Sequence, residues 1–288
     1  MIGEPDPARI DSCQGNAHRP WARPRPLAEL SCESLAAVLG LMTDIDDTLT
    51  AGGQLEAAAG DALMRLAAAG LPVVAITGRP LGWSQAFLQA SPGAGTLRAI
   101  VAENGAVALL PGADGLRLEY AQDALTRQHN ARRLQLLLAR IVAEVPGAQP
   151  ARDSPGRVTD IAIDHSEFTH LPRPAIDQVV ALMRQEGMTA TVSSIHINGW
   201  FGEHNKWSGA LWMARRLFGC NLACQIERWL YVGDSTNDQV MFMQFPLAVG
   251  VANLMHFEAQ LRVWPSYITQ AERGAGFSEV ADALLAAR

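Results

Sequence analysis

Uninterrupted apolar runs, each followed by a polar loop, set the main pattern of this chain. Residues 38–42 (Val-Leu-Gly-Leu-Met) and 229–232 (Trp-Leu-Tyr-Val) contain no charged or amide side chain. Runs of this length are typical of strands that are covered on both faces, as the strands of parallel sheets are. The strand pattern continues at 71–76, 97–102, 247–253 and 267–269. We therefore predict a largely parallel sheet.

Segments with helical character alternate with these runs. The first, 56–69, is rich in Ala, Leu and Met, and Gly70 ends it before the next run. A strand, a helix and a second strand form a βαβ unit with parallel strands and a right-handed crossover. Further helices are predicted at 82–90, 206–218 and 277–287. The prediction is an α/β fold with a Rossmann-like, doubly wound parallel sheet as its core.

The pattern changes between residues 107 and 197. Short strand-like pieces (107–110, 116–119, 158–163 and 188–192) are interleaved with helices near 123–145 and 173–186. This mixture predicts an α+β unit that is inserted into the core as a cap. The predicted domains are an N-terminal extension (1–34), a core (35–106 and 199–288) and a cap (107–198). Because the extension is rich in Pro and Arg, we expect it to be loosely ordered; partner binding by its arginines is the weaker alternative.

Composition narrows the functional classes. The chain has 288 residues and a formal net charge of −6, which argues against nucleic acid as a partner. No apolar stretch has the length of a signal peptide or a membrane span, so we expect a cytoplasmic protein without a membrane contact. Cys13, Cys32, Cys220 and Cys224 lack the spacing of a disulfide framework or a zinc site, so reduced thiols are expected. The oligomeric state stays open.

Two acidic clusters follow two of the predicted strands. Residues 44–48 read Asp-Ile-Asp-Asp-Thr, and residues 233–238 read Gly-Asp-Ser-Thr-Asn-Asp. Ligands bind at the carboxyl ends of parallel strands, so we expect the clusters to converge there. Converging carboxylates repel one another unless a cation neutralises them, and oxygen ligands favour Mg²⁺ over zinc. The predicted metal ligands are Asp44, Asp46, Asp234, Asn237 and Asp238.

The same residues suit phosphoryl transfer. Asp44 is placed to attack a phosphorus atom and form an aspartyl phosphate, and Asp46 to protonate the leaving oxygen and then activate water. Thr77, at the end of the run 71–76, can hold a phosphate oxygen through its hydroxyl. Lys206, the single lysine of the chain, can neutralise both the phosphate and Asp44. Taken one at a time, these motifs have ordinary alternatives: an acidic surface turn, a helix-capping Thr and a solvated Lys.

Together and in this order, the motifs at Asp44, Thr77, Lys206 and Asp234 resemble the four motifs of the haloacid dehalogenase (HAD) superfamily. The insertion between Thr77 and Lys206 resembles a type II cap, and segments 77–80, 103–106 and 249–253 are similar to those of type IIB, Cof-like sugar phosphatases. The resemblance implies magnesium-dependent hydrolysis of a small phosphate monoester, a sugar phosphate or a sugar-phosphoglycerate, through a phospho-aspartate. It also implies that Asp44 is the nucleophile, that Asp46 is the general acid and base and gives the metal its backbone carbonyl, and that Asp234 is a metal ligand.

Candidate substrate-binding residues lie at the Thr motif, after the third strand and where the chain returns from the cap: Thr77, Gly78, Arg79, Asn104, His196, Asn198, Trp200, Asn205 and Lys206. His196, Asn198 and Trp200 alternate along a predicted strand and so share one face. Two alternatives stay open: Trp200 packs the hinge, and Arg79 pairs with an acidic residue at the cap interface. His165 and His170 lack ligand-like spacing and are predicted to lie at the surface.

Other functions fit parts of the pattern. A phosphomutase of the same superfamily uses the same residues but returns the phosphate to the sugar. A dehalogenase does not need a metal or the Asp234 cluster. A phospho-aspartate signalling receiver also combines acidic residues, Thr and Lys around Mg²⁺, but it lacks a large insertion between them. A non-catalytic binding protein has no need of Asp46.

Overall fold

The computed structural model describes residues 22–112 and 114–288. Within these residues the chain forms fifteen strands and eight α-helices. The strands are β1 (Arg25–Pro26), β2 (Gly40–Thr43), β3 (Thr50–Ala51), β4 (Gln54–Leu55), β5 (Val73–Ile76), β6 (Ala99–Ala102), β7 (Val107–Gly112), β8 (Gly115–Tyr120), β9 (Gln149–Pro150), β10 (Asp160–Asp164), β11 (Thr189–Val192), β12 (His196–Trp200), β13 (Trp229–Gly233), β14 (Leu247–Gly250) and β15 (Tyr267–Ile268). The helices are α1 (Cys32–Ala36), α2 (Ala57–Ala68), α3 (Leu81–Ala90), α4 (Ala124–Glu144), α5 (Arg173–Gln185), α6 (Lys206–Phe218), α7 (Gln239–Gln244) and α8 (Arg273–Ala286).

Nine of these strands form a central sheet in the order β1-β15-β14-β13-β2-β5-β6-β7-β8. The strands from β1 to β6 in this order are parallel, and β7 and β8 are antiparallel. Neighbouring residues of β2 point to opposite faces: Leu41 packs with α2 and α8, and Met42 with α6 and α7. Because helices cover both faces, the predicted doubly wound α/β core is confirmed.

The register of the central strands brings the predicted catalytic loops to one edge. Thr43, the last residue of β2, lies opposite Val232 of β13 on one side and Ala75 of β5 on the other. The loops that begin at Asp44, Asp234 and Thr77 therefore leave the sheet side by side.

A second, antiparallel sheet in the order β11-β12-β10-β9 packs against α4 and α5. Its core contains Ile141, Ile163 and Val179, which are all fully buried. We call this unit, residues 121–205, the cap. Its boundaries differ from the predicted ones, because β7 and β8 extend the central sheet and β12 continues to Trp200. The start of the cap at residue 107 is therefore wrong.

A tight reversal after β6 explains this difference. Glu103, Asn104 and Gly105 all have positive φ (50°, 55° and 110°), so the chain turns back at once and β7 runs beside β6. A Cβ at Gly105 would lie 2.3 Å from the carbonyl oxygen of Asn205, so glycine also allows the start of α6 to approach this turn. β8 (Gly-Leu-Arg-Leu-Glu-Tyr) is a short strand with alternating apolar and polar residues, a pattern that the strands of an inserted unit also have.

The end of the N-terminal segment is ordered against the core. β1 pairs with β15, Leu27 and Leu30 are buried, and an Arg25 side-chain N–H donates to the Tyr267 hydroxyl (2.6 Å). The prediction of loose order is therefore wrong for residues 22–34. The rest of the extension, with Cys13, lies outside the described residues. Among the described residues, no helix is long and apolar enough to cross a membrane.

Candidate active site

Asp44 directly follows β2 and is buried at the carboxyl edge of the sheet. Its backbone N–H donates to the Val232 carbonyl of β13 (2.9 Å). Its Oδ1 accepts a hydrogen bond from the Ile45 N–H (2.8 Å), and its Oδ2 lies 2.8 Å from Lys206 Nζ. These contacts fix the orientation of the carboxylate, which suits the role of nucleophile predicted for Asp44.

Lys206, the first residue of α6, bridges the two acidic clusters. Its Nζ contacts Asp44 Oδ2 (2.8 Å) and Asp238 Oδ1 (2.7 Å) and lies 3.4 Å from Asn237 Oδ1. Burial disfavours the charged amine, but the charges of Asp238 and Asp44 outweigh burial and raise the pKa of Lys206 above its ordinary value. Lys206 is therefore a fixed positive charge at the centre of the site.

Asp238 holds Lys206 and the second acidic loop in place. Its Oδ1 accepts hydrogen bonds from Lys206 and from the Tyr231 hydroxyl (2.5 Å). Its Oδ2 accepts from the backbone N–H groups of Asp234 (2.9 Å) and Ser235 (3.2 Å). Four donors fill the acceptor sites of one carboxylate, so Asp238 has an anchoring role in this structure. Asn237 is also engaged, because its Oδ1 accepts from the Ser235 hydroxyl (2.9 Å).

Asp234 has a carboxylate oxygen that is free to bind a cation. Its Oδ2 is buried without a hydrogen-bond partner, and its Oδ1 has a long contact with the Thr48 hydroxyl (3.4 Å). One oxygen each of Asp44, Asp234 and Asp238 lie within 4.8 Å of one another. Three buried carboxylates beside one ammonium group leave an excess of negative charge, which a divalent cation neutralises. The residues present therefore fit the predicted Mg²⁺.

The raised pKa values of Asp234 and Asp44 are a second sign of the excess negative charge in this cluster. Burial, with the neighbouring carboxylates, raises the pKa of Asp234 well above its ordinary range. Burial also raises the pKa of Asp44 to about 7, although Lys206 acts in the opposite direction. A cation between the two side chains favours their charged forms.

Two hydrogen-bond donors near the Thr motif suit an anionic oxygen. The Thr77 Oγ1 accepts from the Arg79 N–H (3.0 Å), which leaves the hydroxyl proton for another acceptor. The Asn104 Nδ2 is buried without a partner, and it lies 3.3 Å from the position of a Cβ at Gly78. Glycine at position 78 therefore leaves space beside the amide of Asn104, which a Cβ would contact tightly.

Asp46 does not belong to the cluster of Asp44, Asp234 and Asp238, and it pairs with Arg79. The Arg79 Nε lies 2.9 and 3.0 Å from the two carboxylate oxygens of Asp46. The same guanidinium contacts two cap residues, Asp153 (3.2 Å) and Glu167 (2.8 Å), and it lies over the Trp83 ring. Of the two alternatives for Arg79, the structure shows the ion pair at the cap interface.

Asn198 and Arg157 attach the cap to the Thr motif. The Asn198 Nδ2 donates to Asp160 (3.0 Å) and lies 3.4 Å from the Gly78 carbonyl oxygen. The Arg157 Nη1 donates to the same carbonyl (3.0 Å) and to both oxygens of Asp160 (2.9 and 2.8 Å). Glu103 adds a further link, because it accepts from the N–H of Thr159 (2.6 Å). The cap is closed over the core in this conformation.

Trp200 and Asn205, which the sequence predicts to bind substrate, make contacts within the protein instead. Trp200 is fully buried, its Nε1 donates to the His204 carbonyl (2.8 Å), and its ring stacks on His204. The hinge-packing alternative therefore describes Trp200. Asn205 caps α6, because its Oδ1 accepts from the Ser208 N–H (3.0 Å).

The prediction of a surface position is wrong for His165. Its side chain is buried at the end of β10, where Nε2 lies 3.0 Å from the Ser193 carbonyl oxygen and Nδ1 lies 2.7 Å from the Ser166 hydroxyl. His170 is exposed.

The sequence analysis missed the cap residues that reach the core: Asp153, Arg157, Asp160 and Glu167. Asp153 lies in the segment 146–156, where Pro and Gly predict turns. Glu167 lies in the loop after β10, and no spacing relates it to Arg79, 88 positions earlier. Its position after a strand is the one available signal, since the core acids follow strands in the same way.

Glu167 helps to hold the cap against the core, and its contribution to stability can be tested. Its Oε2 also lies 2.9 Å from His196 Nε2. Burial opposes ionisation, but the hydrogen bonds of His196 and Arg79 outweigh it and lower the pKa of Glu167 from 4.5 to about 2. A group with a lowered folded-state pKa stabilises the fold above its unfolded-state pKa and loses this effect as the pH falls.

The Glu167→Gln variant is therefore expected to be less stable at neutral pH, by about 2 kcal/mol. The difference from the wild type should shrink as the pH falls from about 4.5 to about 2. Urea unfolding at several pH values measures it. Glu144→Gln, an exposed cap variant whose carboxylate pairs with Arg140, is the control and should show little effect. A difference that does not change with pH would contradict the assignment.

Comparisons with known proteins agree with this geometry. Residues 41–126 match the sequence model of a family described as haloacid dehalogenase-like hydrolases. A search of curated proteins finds no significant match. Among solved structures, a HAD/COF-like hydrolase from Plasmodium vivax aligns with a TM-score of 0.65 at 16% identity, over 89% of this chain and 99% of that one.

Two phosphatase structures are also similar. The sucrose-phosphatase from Synechocystis, solved with sucrose and phosphate, has a TM-score of 0.60 at 18% identity and covers 85% of this chain and 97% of its own. A HAD subclass IIB sugar phosphatase has a TM-score of 0.57 at 15% identity, with 86% and 98% covered. At these identities the likeness shows the fold.

The match over residues 41–126 and the shared fold confirm the resemblance to haloacid dehalogenase-like hydrolases that the motifs predict. The prediction that it is an enzyme is confirmed with it.

Proposed function

We propose that the protein is a magnesium-dependent phosphatase that hydrolyses a small phosphate monoester, such as a sugar phosphate, through a phospho-aspartate. The observation that carries the proposal is the division of the acidic residues into two environments. Asp44 contacts Lys206 and lies in one cluster with Asp234, whereas Asp46 pairs with Arg79. Two carboxylates in different environments suit a nucleophile and a separate proton carrier.

In the first step an oxygen of Asp44 attacks phosphorus while the bond between phosphorus and the ester oxygen breaks. A protonated Asp46 gives its proton to the leaving oxygen, which departs as an alcohol. In the second step Asp46, now a carboxylate, takes a proton from water as the water oxygen attacks the phospho-aspartate. The bond between phosphorus and the Asp44 oxygen breaks, which releases inorganic phosphate and restores the Asp44 carboxylate and a protonated Asp46.

The other residues of the site bind and orient the phosphate. Lys206 places positive charge beside Asp44, and the Thr77 hydroxyl and Asn104 Nδ2 are free to donate to phosphate oxygens. Asp44, Asp234 and the backbone carbonyl of Asp46 would hold Mg²⁺, which supplies charge neutralisation for the phosphate and its nucleophile. The closed cap excludes bulk water from the reacting groups.

Phosphate release tests this function. The full chain is incubated with p-nitrophenyl phosphate and with a panel of phosphosugars, phosphoglycerates and nucleotides, with Mg²⁺ or with a chelator. We expect release that depends on Mg²⁺ and is fastest with one or a few of the small esters. A folded protein that binds Mg²⁺ but releases no phosphate from any ester would contradict the proposal.

Asp234→Asn separates metal binding from folding. We expect the variant to be at least as stable as the wild type in chelator, because a neutral amide replaces a buried carboxylate whose charge the neighbouring carboxylates oppose. In the wild type, Mg²⁺ at about 100 times its Kd should stabilise the fold by about 2.7 kcal/mol, and the variant should lose most of this gain. Thermal unfolding with and without Mg²⁺ measures both effects. Equal stabilisation of the variant and the wild type would exclude Asp234 as a ligand.

A further inference from the structure

Carboxylates crowd the space around Asp46. Four further acids lie in the same contact network at the junction of the core and the cap: Glu103, Asp153, Asp160 and Glu167. The arginines that these five carboxylates contact directly are Arg79 and Arg157.

Both guanidinium groups are already fully engaged. Arg79 contacts the carboxylates of Asp46, Asp153 and Glu167. Arg157 contacts those of Asp153 and Asp160, and it also donates to a backbone carbonyl. Both arginine side chains are at most 4% exposed, so water contributes little to balancing the charge. His196 contacts Glu167 and can supply one more donor.

The leaving group of a phosphate ester has to enter this acidic region. Asp46 can protonate the leaving oxygen only within hydrogen-bond reach of it. Asp46 shares Arg79 with Asp153 and Glu167, so the part of the substrate next to the leaving oxygen meets these two cap acids. A buried donor without a partner, Asn104 Nδ2, lies at the Thr motif and suits a phosphate or hydroxyl oxygen.

Acidic side chains distinguish ligands by charge. Carboxylates accept hydrogen bonds from hydroxyl and ammonium groups, and they repel a further carboxylate in a buried site. Arg79 cannot attract a carboxylate of the substrate without releasing one that it already holds.

We propose that this site selects phosphate monoesters whose leaving group is an uncharged polyol or an amino-polyol and rejects those whose leaving group bears a carboxylate. Glu167 is the residue that sets this preference from the cap, through its contacts with Arg79 and His196. The proposal rests on the phosphatase function proposed above, and it favours sugar phosphates over sugar-phosphoglycerates.

Matched substrate pairs test the proposal. Glucitol 6-phosphate and 6-phosphogluconate are both open-chain esters and differ in a C1 hydroxymethyl group or carboxylate; glycerol 3-phosphate and 3-phosphoglycerate form a second pair. We expect kcat/KM for the uncharged member of each pair to be about 100-fold higher, the size of a like-charge penalty. Glucosamine 6-phosphate should be turned over at least as well as glucose 6-phosphate. If an ester is turned over too slowly, its inhibition of p-nitrophenyl phosphate hydrolysis gives the same comparison.

The Glu167→Gln variant should reduce the ratio within each pair to about 10-fold or less, since one repelling charge is removed. Asp153→Asn should act in the same direction and replaces Glu167→Gln if that variant does not fold. The exposed Glu144→Gln variant should keep the wild-type ratio.

The two proposals fail in different ways. No phosphate release from any ester, p-nitrophenyl phosphate included, would overturn the phosphatase function and this selectivity with it. Release with equal or reversed preference within the pairs would overturn the selectivity alone. A wild-type preference that survives both Glu167→Gln and Asp153→Asn would overturn the role of the cap acids.

Discussion

An Asp44→Asn variant is expected to lose phosphate-ester hydrolysis by at least about 10,000-fold in kcat, because removal of a covalent nucleophile has effects of this size. The fold should be kept. Asparagine retains an Oδ1 that can accept from the Ile45 N–H, and Lys206 keeps its contact with Asp238. Phosphate release from p-nitrophenyl phosphate and from the preferred ester measures the loss, and trapping of a phosphorylated wild-type protein tests the intermediate.

Asp47→Asn is a matched control in the same loop. Asp47 has φ of 50°, a conformation that asparagine tolerates well, and its side chain pairs with Arg273 outside the carboxylate cluster. This variant should keep activity within about tenfold of the wild type, since it alters a half-exposed ion pair. Turnover by Asp44→Asn that approaches that of the control would exclude Asp44 as the nucleophile.

Loss of turnover does not by itself separate a phosphatase from a phosphomutase, because both use the same nucleophile. The product separates them. A phosphatase releases inorganic phosphate, whereas a mutase, supplied with a sugar bisphosphate activator, returns the phosphate to the sugar.

The core could be predicted from the sequence because its signals are local. A continuous apolar run marks a strand that is buried on both faces, and the residues after it occupy the carboxyl edge of the sheet. For this reason the sequence predicts that Asp44 and Asp234 converge. In the structure, one carboxylate oxygen of Asp44 lies within 4.8 Å of one carboxylate oxygen of Asp234.

The cap side of the site could not be predicted in this way. Glu167 and Asp153 meet Arg79 because two cap loops fold over the core, and the position of one domain on another leaves no periodic signal in the chain. The contacts of residues that share one strand are equally hard to predict. Asn198 contacts the Thr motif, whereas Trp200 on the same strand packs into the hinge. The alternation of side chains along a strand predicts which residues share a face, but it does not predict which residues they contact.

The Lys206→Met variant is expected to lose about 3 to 5 kcal/mol of unfolding free energy when Mg²⁺ is absent, the cost of leaving buried charges without their partner. Methionine keeps the length and apolar stem of the side chain but removes the ammonium group that lies between Asp44 and Asp238. Urea unfolding in chelator measures the loss. Activity should fall as well, since the positive charge beside the nucleophile is removed.

A double variant shows how much of this loss comes from the ion pair between Lys206 and Asp238. In Lys206→Met/Asp238→Asn the amide oxygen can still accept from the N–H groups of Asp234 and Ser235, while its NH₂ faces the Tyr231 hydroxyl oxygen. With one uncompensated carboxylate removed, the double variant should be more stable than the sum of the two single effects, by about 1 to 3 kcal/mol. Additive effects would mean that Lys206 stabilises the fold mainly through other contacts, such as the one with Asp44. A positive coupling would identify the ion pair with Asp238 as the interaction that fixes Lys206 beside the nucleophile.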